Sequence, residues 1–274
     1  MNNLMSKIAA HYSNFHYNFI IRKKIQRKLS NFLYPVFFLL AKSLNFSRDF
    51  FVLKLNDPWP KLYTIHQYKK NNYESVQIEG TRRKLSKIAQ ENSKIVTDKK
   101  EPKNSIKVVA LDIRNSFPES RIVGICHGVR TGVENNYILS SLPVGSSVIG
   151  TDISPLVTKF DNCVVWDFHK SNPDWVDKFD FIYSNSIDQA RDPILAISSW
   201  LDSLKPSYGL LYLDLGKHSG KWGTTVLDPF AIEPEFFPFF FYSQFGKLAI
   251  INEILFPDDK NHRNVVYKIS RLSR

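Results

Sequence analysis

The sequence predicts an α/β protein: a doubly wound, mostly parallel seven-stranded sheet that closes with a C-terminal antiparallel hairpin, preceded by a mostly helical N-terminal extension. Three observations carry this expectation. Short apolar runs bounded by turn residues alternate with helix-compatible stretches through the second half of the chain. One of those runs leads into a glycine-punctuated turn, and the charge changes sign along the chain. At 274 residues there is enough chain for a full α/β core with one appendage, and a hydrophobic content of 43% excludes disorder throughout.

The expected division places the extension at 1–105 and the sheet domain at 106–274. In the extension, the basic run Ile20–Lys28 leads into the uncharged segment Leu29–Ala41, which spans 13 residues. That is too short for the ~30 Å hydrocarbon core of a bilayer, which needs about 20 residues. Two readings stay open for residues 20–41: an amphipathic segment lying on an anionic membrane surface, kinked at Pro35, or a helix packed on the protein itself or on a second subunit. A basic helix is expected over Gly80–Glu91, capped by Thr81, with Leu85, Ile88 and Ala89 on one side and Arg82, Arg83 and Lys87 on the other. The charge-rich stretch Asp98–Asn104 reads as a linker.

Strands follow at Ile122–Cys126, Val148–Thr151, Cys163–Trp166, Phe179–Tyr183 and Gly209–Leu213. Their alternation with helices implies parallel pairing with both faces covered. Between the last two, Ile194, Ile197, Leu201 and Leu204 recur at helical spacing, and Lys205-Pro206 ends that helix. The aromatic run Phe236–Tyr242 reads either as core or as a lid over a hydrophobic ligand. Leu248–Phe256 and Asn264–Ser270 are joined by the polar stretch Pro257–Arg263, a connection suited to an antiparallel hairpin.

The first strand ends in Cys126-His-Gly-Val-Arg-Thr-Gly-Val-Glu134, where Gly128 and Gly132 lack a Cβ and so permit a left-handed backbone or close approach of a ligand. The second strand ends at Asp152, about twenty positions later, where a carboxylate can accept from both hydroxyls of a ribose. Together they read as a nucleoside site. The spacing is not G-x-G-x-x-G, because Arg130 occupies the middle place, and no Gly-Lys-Ser/Thr follows. A pyrophosphate ligand, and with it a nicotinamide-dependent oxidoreductase, therefore ranks last.

Gly-Val-Arg-Thr-Gly-Val-Glu134, Val-Ile-Gly-Thr-Asp-Ile-Ser154, Val-Val-Trp-Asp-Phe168, Phe-Asp-Phe-Ile-Tyr-Ser-Asn185 and Leu-Lys-Pro-Ser-Tyr-Gly-Leu-Leu-Tyr-Leu213 resemble, in order, the motifs of class I S-adenosylmethionine-dependent methyltransferases, which have a Rossmann-like domain. The resemblance covers roughly 106–274. It implies S-adenosylmethionine as cofactor, with Gly128, Val129 and Gly132 at its methionine and ribose parts, Asp152 at the ribose hydroxyls and Ile153 against the adenine. It further implies Asp167 as acceptor for the adenine amino group, Phe168 donating through its backbone, and Ser184 to Asp188, Asn185 included, facing the methyl group. Two departures stand out. Cys126 occupies a place where the family usually has an acid, leaving Glu134 or a backbone carbonyl for the cofactor's amino group, and Ser-Ile-Asp-Gln189 replaces a stretch where many relatives carry histidine.

Methyl transfer is an in-line displacement, so positioning supplies much of the catalysis. An oxygen acceptor must still lose a proton. Asp188, His127, His169 and His218 are the candidate bases, and Asp188 is the choice. The structural alternatives are a turn cap for Asp188, backbone hydrogen bonding for His127, a solvated loop end for His169, a mobile loop for His218, and a helix-start role for Asp152 before Ser154-Pro155. The expected reaction is O-methylation of a small-molecule, saccharide or lipid-linked acceptor. The alternative is a catalytically inactive scaffold at a membrane or a nucleic acid. The absence of an Asn/Asp-Pro-Pro motif near Asn185 argues against amino-group methylation of bases.

Residues 1–107 hold 21 Lys and Arg against 7 Asp and Glu, whereas residues 108–274 hold 16 against 19, for a net charge of +11. A basic front on a slightly acidic domain suggests an anionic partner surface, membrane lipid before nucleic acid. With only Cys126 and Cys163, both expected on buried strands, neither a disulfide framework nor a metal site is implied. Together with the lack of a signal-peptide pattern, this predicts a cytoplasmic protein, or one peripheral to a membrane.

Overall fold

A computed structural model describes residues 63–66, 72–92, 104–117, 121–216, 224–257 and 265–273. Everything described belongs to one compact unit, Tyr63–Arg274. Its strands are β1 (Tyr63–Ile65), β2 (Val123–His127), β3 (Ser147–Asp152), β4 (Cys163–Val165), β5 (Phe181–Ser184), β6 (Leu210–Leu215), β7 (Phe230–Ile232), β8 (Ala249–Leu255) and β9 (Val265–Arg271). The α-helices are α1 (Tyr73–Asn92), α2 (Asn104–Ser116), α3 (Val133–Ser140), α4 (Pro193–Ser203) and α5 (Phe237–Phe245).

Seven strands form one sheet in the order β4-β3-β2-β5-β6-β9-β8, with the first five parallel and β9 antiparallel to both β6 and β8. This is the expected architecture, and the strand bounds differ from the apolar runs by only a residue or two. Alternation along the strands feeds two cores. Ile125, Ile182, Leu211 and Leu213 join Trp200 of α4 and Phe237, Phe240 and Phe241 of α5 on one side of the sheet. On the other, Cys126, Phe181, Tyr183 and Tyr212 join Ile106, Val109 and Ile113 of α2 and Ile138 of α3. Period-two side-chain alternation on a sheet buried on both faces gives two cores from one apolar run. The aromatic run is thus core: Phe237, Phe240, Phe241 and Phe245 are all buried.

Three expectations need correction. Thr81 does not cap a helix; it lies buried inside α1, which begins two turns earlier, at Tyr73, where the Asn72 carbonyl accepts from the Val76 amide and the Ser75 hydroxyl. Gly80 punctuates nothing. A Cβ there would come 2.5 Å from Leu227 Cδ2, so the glycine lets α1 sit against the segment before β7. Second, the β3–β4 and β4–β5 connections carry 3-10 turns, Pro155–Lys159 and Pro173–Trp175, each with a side-chain cap and a proline in its first turn, instead of α-helices. Third, the compact unit begins at Tyr63, well before residue 106: β1 pairs antiparallel with β7, and α2 runs across the expected boundary with Ser105 and Ile106 both buried.

Strand order reverses at β2, whose neighbours are β3 on one side and β5 on the other. Ligands of open α/β sheets bind outside the carboxyl ends of the strands at such a switch point. Among the described residues no helix is long and apolar enough to cross a membrane. The interfacial reading of residues 20–41 falls outside the described residues.

Candidate functional site

β2 delivers the chain into the glycine turn at the switch point. Gly128, Arg130 and Gly132 all take positive φ, at 76°, 50° and 67°. Such a backbone is easy for glycine and costly for arginine. The turn is pinned to β3, because the amides of Gly128 and Val129 both donate to the Thr151 carbonyl, at 2.8 and 3.0 Å. Asp152 completes the join: its Oδ2 accepts from the Arg130 amide at 3.2 Å and its Oδ1 from the Ser154 amide at 2.8 Å. Burial pushes this carboxyl up, while the Ser154 amide and the charge and amide of Arg130 oppose the rise. The helix-start role expected as an alternative for Asp152 falls to its neighbour Ser154, whose hydroxyl accepts from the Leu156 amide.

One cleft opens at this place. Gly128, Asp152, Ile153, Asp167 and Phe168 line one side, and Tyr73, Gln77 and Thr81 of α1, with Gln189, line the other. Five of the expected ligand-binding residues are therefore brought together. Val129 is instead buried in the core on the α2–α3 side. Gly132 precedes α3 in a left-handed conformation, with Cys163 Sγ where a Cβ would be. Asn185 donates from Nδ2 to Glu134 Oε1 at 3.4 Å and accepts from the Ser186 hydroxyl at 3.0 Å, tying the end of β5 to the first turn of α3.

Asp167 is engaged on one oxygen. Its Oδ1 accepts from the amide and from Nδ1 of His169, at 3.1 and 2.7 Å, and Arg191 lies 4.0 Å from Oδ2. Burial raises this carboxyl, but His169 and Arg191 outweigh it and leave it below the ordinary value. His169 Nε2 accepts from the Asp192 amide, which places the ring proton on Nδ1, toward Asp167. Both ring nitrogens are thus spent, and a solvated loop end does not describe this residue, which is 2% exposed.

The other candidate bases separate on burial. His127 stacks on Trp200 with ring centroids 5.2 Å apart, shares a 2.8 Å hydrogen bond with the Thr151 hydroxyl, and is pushed by burial down to about 3. It is neutral at any physiological pH. His218 lies outside the described residues. Asp188 sits in the 3-10 turn Ile187–Gln189 beside the cleft, and its Oδ1 is enclosed with no hydrogen-bond partner. Burial first, and then the charge of Asp228, pushes it up to about 7, with Lys84 and the local amides opposing.

The residues that sequence reasoning missed are Tyr73, Gln77 and Thr81. Their spacing of four places them on one helix face, and they are anchored there: Tyr73 donates to the Gln189 carbonyl at 2.9 Å and Gln77 to the Leu227 carbonyl at 2.9 Å. Arg191 covers the Tyr73 ring, 5.1 Å from its centroid. Cys126 is fully buried and its thiol pushed well up, so the place where the resemblance implied an acid holds none here.

No family model matches the sequence, and no curated protein is significantly similar to it. Solved structures do match. A 1,6-didemethyltoxoflavin-N1-methyltransferase from Burkholderia thailandensis, solved with S-adenosylhomocysteine, is similar at a TM-score of 0.51 and 12% identity over 77% of this chain and 94% of that one. An S-adenosylmethionine-dependent methyltransferase from Clostridium acetobutylicum ATCC 824 is similar at a TM-score of 0.50 and 11% identity, over 69% of this chain and 99% of that one. The chain spans about half of the CurJ carbon methyltransferase, 54% of its length, at a TM-score of 0.47 and 13% identity. Strand order, switch-point cleft and the likenesses to the Burkholderia and Clostridium proteins agree: the chain has the fold of the class I S-adenosylmethionine-dependent methyltransferases.

Proposed function

We propose that the protein is an S-adenosylmethionine-dependent methyltransferase that methylates oxygen on a small-molecule, saccharide or lipid-linked acceptor. The observation that carries this reading is the cleft itself, where Asp152, Ile153, Asp167 and Phe168 converge on the glycine turn at the switch point of the sheet. That donor and acceptor set suits a nucleoside: Asp152 for the ribose hydroxyls, Ile153 and Phe168 for the faces of the base, and the outer oxygen of Asp167 for its amino group. When bound, the cofactor supplies a sulfonium methyl, an electrophile that needs no protein nucleophile. The chain's own tasks are to hold the acceptor in line, to exclude water with the α1 face, and to take a proton. Asp188, pushed up to about 7, is a base matched to a hydroxyl acceptor near neutral pH. Because the Burkholderia protein is named for transfer to nitrogen, the choice of oxygen rests on Asp188. The saccharide or lipid-linked class rests on the basic and apolar composition of residues 20–41.

Calorimetric titration tests the reading. S-adenosylhomocysteine is expected to bind the full-length protein at micromolar Kd and NAD not at all. Asp152→Asn keeps the side chain's shape but weakens acceptance from the ribose, and loses ~100-fold in affinity if two charge-assisted hydrogen bonds go. Failure of the wild-type protein to bind sinks the enzyme. A binding module without turnover is the second reading, favoured by the fully buried Cys126 in place of an acid. Cofactor binding with no methyl release in the presence of hydroxyl acceptors would select it.

A further inference from the structure

Tyr73, Gln77 and Thr81 follow one another at intervals of four along the enclosed face of α1, and the first two anchor the helix by donating to the Gln189 and Leu227 carbonyls. Thr81 anchors nothing. It is 7% exposed and lines the cleft, yet among the described residues its hydroxyl has no hydrogen-bond partner, whereas the hydroxyls of the exposed Ser75 and Ser86 bond back to the carbonyls of Asn72 and Arg82. Gln77, 6% exposed, has only one end of its carboxamide engaged. A carbonyl can only accept, so Nε2 is committed to Leu227 and Oε1 is the atom left over, again with no partner among the described residues. Two such oxygens, one helical turn apart on side chains this far buried, are destabilising unless a ligand or water brings donors to them.

Their position along α1 indicates which part of a ligand they meet. At one end Tyr73 stands edge-on to His169, with 5.5 Å between ring centroids, beside Asp167, the place given above to the nucleobase. About one turn beyond Thr81, the charge of Lys84 acts on Asp188, the proposed base. Gln77 and Thr81 lie between these ends, across the cleft from Gly128 and Asp152, where methyl donor and acceptor come together. We propose that these two residues determine specificity by accepting hydrogen bonds from hydroxyls of the methyl acceptor, so that the acceptor is a polyol of the saccharide kind and not an apolar alcohol. The inference rests on the methyltransferase reading of the cleft and deepens it. The hydroxyl that takes the methyl group gives its proton to Asp188, and neighbouring hydroxyls donate to Gln77 Oε1 and Thr81 Oγ1. A site that binds a hydroxyl through enclosed polar groups discriminates strongly against a ligand lacking it, because those groups are then left unpaired. The ribose of the methyl donor is the other source of hydroxyls, and the experiment separates the two.

The full chain is given S-adenosylmethionine and one of two probes, methyl α-D-glucopyranoside or cyclohexanol, and its affinity for S-adenosylhomocysteine is measured separately by calorimetry. Wild type is expected to prefer the glucoside at least about tenfold in kcat/KM. Thr81→Val is isosteric and removes only the hydroxyl: it should cost about tenfold on the glucoside, less than about twofold on cyclohexanol, and leave the S-adenosylhomocysteine affinity within about twofold. Thr81→Ser should restore the preference, and Gln77→Met should erase it as Thr81→Val does. Because valine replaces an unpaired buried hydroxyl, the Tm of Thr81→Val should equal or exceed the wild-type value, which separates lost recognition from misfolding. If Thr81→Val instead weakens S-adenosylhomocysteine about tenfold and keeps the glucoside preference, the hydroxyls in question are those of the ribose and the assignment to the acceptor is overturned. Equal losses on both probes, an unchanged preference in both variants, a wild-type preference for cyclohexanol, or transfer to neither probe by a protein that binds S-adenosylhomocysteine overturns it as well. Failure of wild type to bind S-adenosylhomocysteine is a failure of the cofactor reading, seen by calorimetry before any probe is added.

Discussion

The two ends of the parallel sheet carry similar numbers of enclosed charges and treat them in opposite ways. At the amino end, Asp180 accepts from the Val123 amide at 2.8 Å and from Lys205 Nζ at 2.7 Å, and Arg271 is bound by Asp177 at 2.5 Å and by the Asp202 and Leu204 carbonyls. At the carboxyl end, Arg130 Nε and Asp188 Oδ1 have no partner, three alternate positions of one turn, 128, 130 and 132, are left-handed, and Asp188 is pushed far from its ordinary value. One end is organised for stability, the other holds unsatisfied groups that a ligand or a proton would complete. The difference puts the unsatisfied groups at the same end of the sheet as the cleft.

The comparison can be broken most forcefully at the amino end. Arg271→Ala leaves the Asp177 carboxylate and the Leu204 carbonyl without their donor, while the Asp202 carbonyl keeps the Asp177 amide, and opens a gap beside β9, and we expect a loss of about 3 kcal/mol with Kd for S-adenosylhomocysteine unchanged. A ligand affinity that falls with stability would show that the two ends are not independent. Calorimetric unfolding and titration of the same sample measure both.

Asp188 is the next largest effect and carries a sign. Its folded value of about 7 lies above the ordinary 3.8, so the folded chain holds this proton more tightly than the unfolded one, and stability falls as pH rises from about 4 to 7. Asp188→Asn removes that slope: its Tm should match wild type near pH 4 and exceed it at pH 8, by an amount on the order of a few kcal/mol for this enclosed carboxyl. In the same variant the rise of kcat/KM through pH 7 should disappear. A Tm gain at pH 8 with an unaltered rate profile would leave Asp188 as strain without catalysis.

Gly80→Ala is the smallest. Alanine favours the helix by about 0.5–1 kcal/mol, and its Cβ displaces the end of the flexible Leu227 side chain, so the two nearly cancel and Tm should move by no more than a few degrees. A large loss would mean that the α1–Leu227 contact is rigid and that the cleft wall cannot yield.

What was legible in the sequence follows from the range of the interactions. β2, β3, β5 and β6 announce themselves because both faces of each are buried, which writes a continuous apolar run. Asp152 and the glycine turn are legible because β2, its turn and β3 are consecutive along the chain. The α1 wall was not. Its lining residues are polar, its glycine resembles a terminator, and its anchor, Leu227, is 150 positions from Gln77, so nothing nearby in the chain marks the contact. The fates of the histidines were hidden for the same reason: His127 is neutralised by enclosure against Trp200, and His169 is spent on Asp167 and the Asp192 amide. Residue type gave their chemistry, and only packing decided whether it was usable.

The antiparallel pair of Tyr63–Ile65 with Phe230–Ile232 has a consequence for the order in which the molecule is made. A nascent chain has the α1 wall in hand early, yet its strand partner and Leu227 leave the ribosome after all five parallel strands. The cleft therefore cannot be closed until most of the chain is synthesised, and a product truncated after β6 would keep the Asp152 end of the site while lacking the strand and loop that hold its opposite wall.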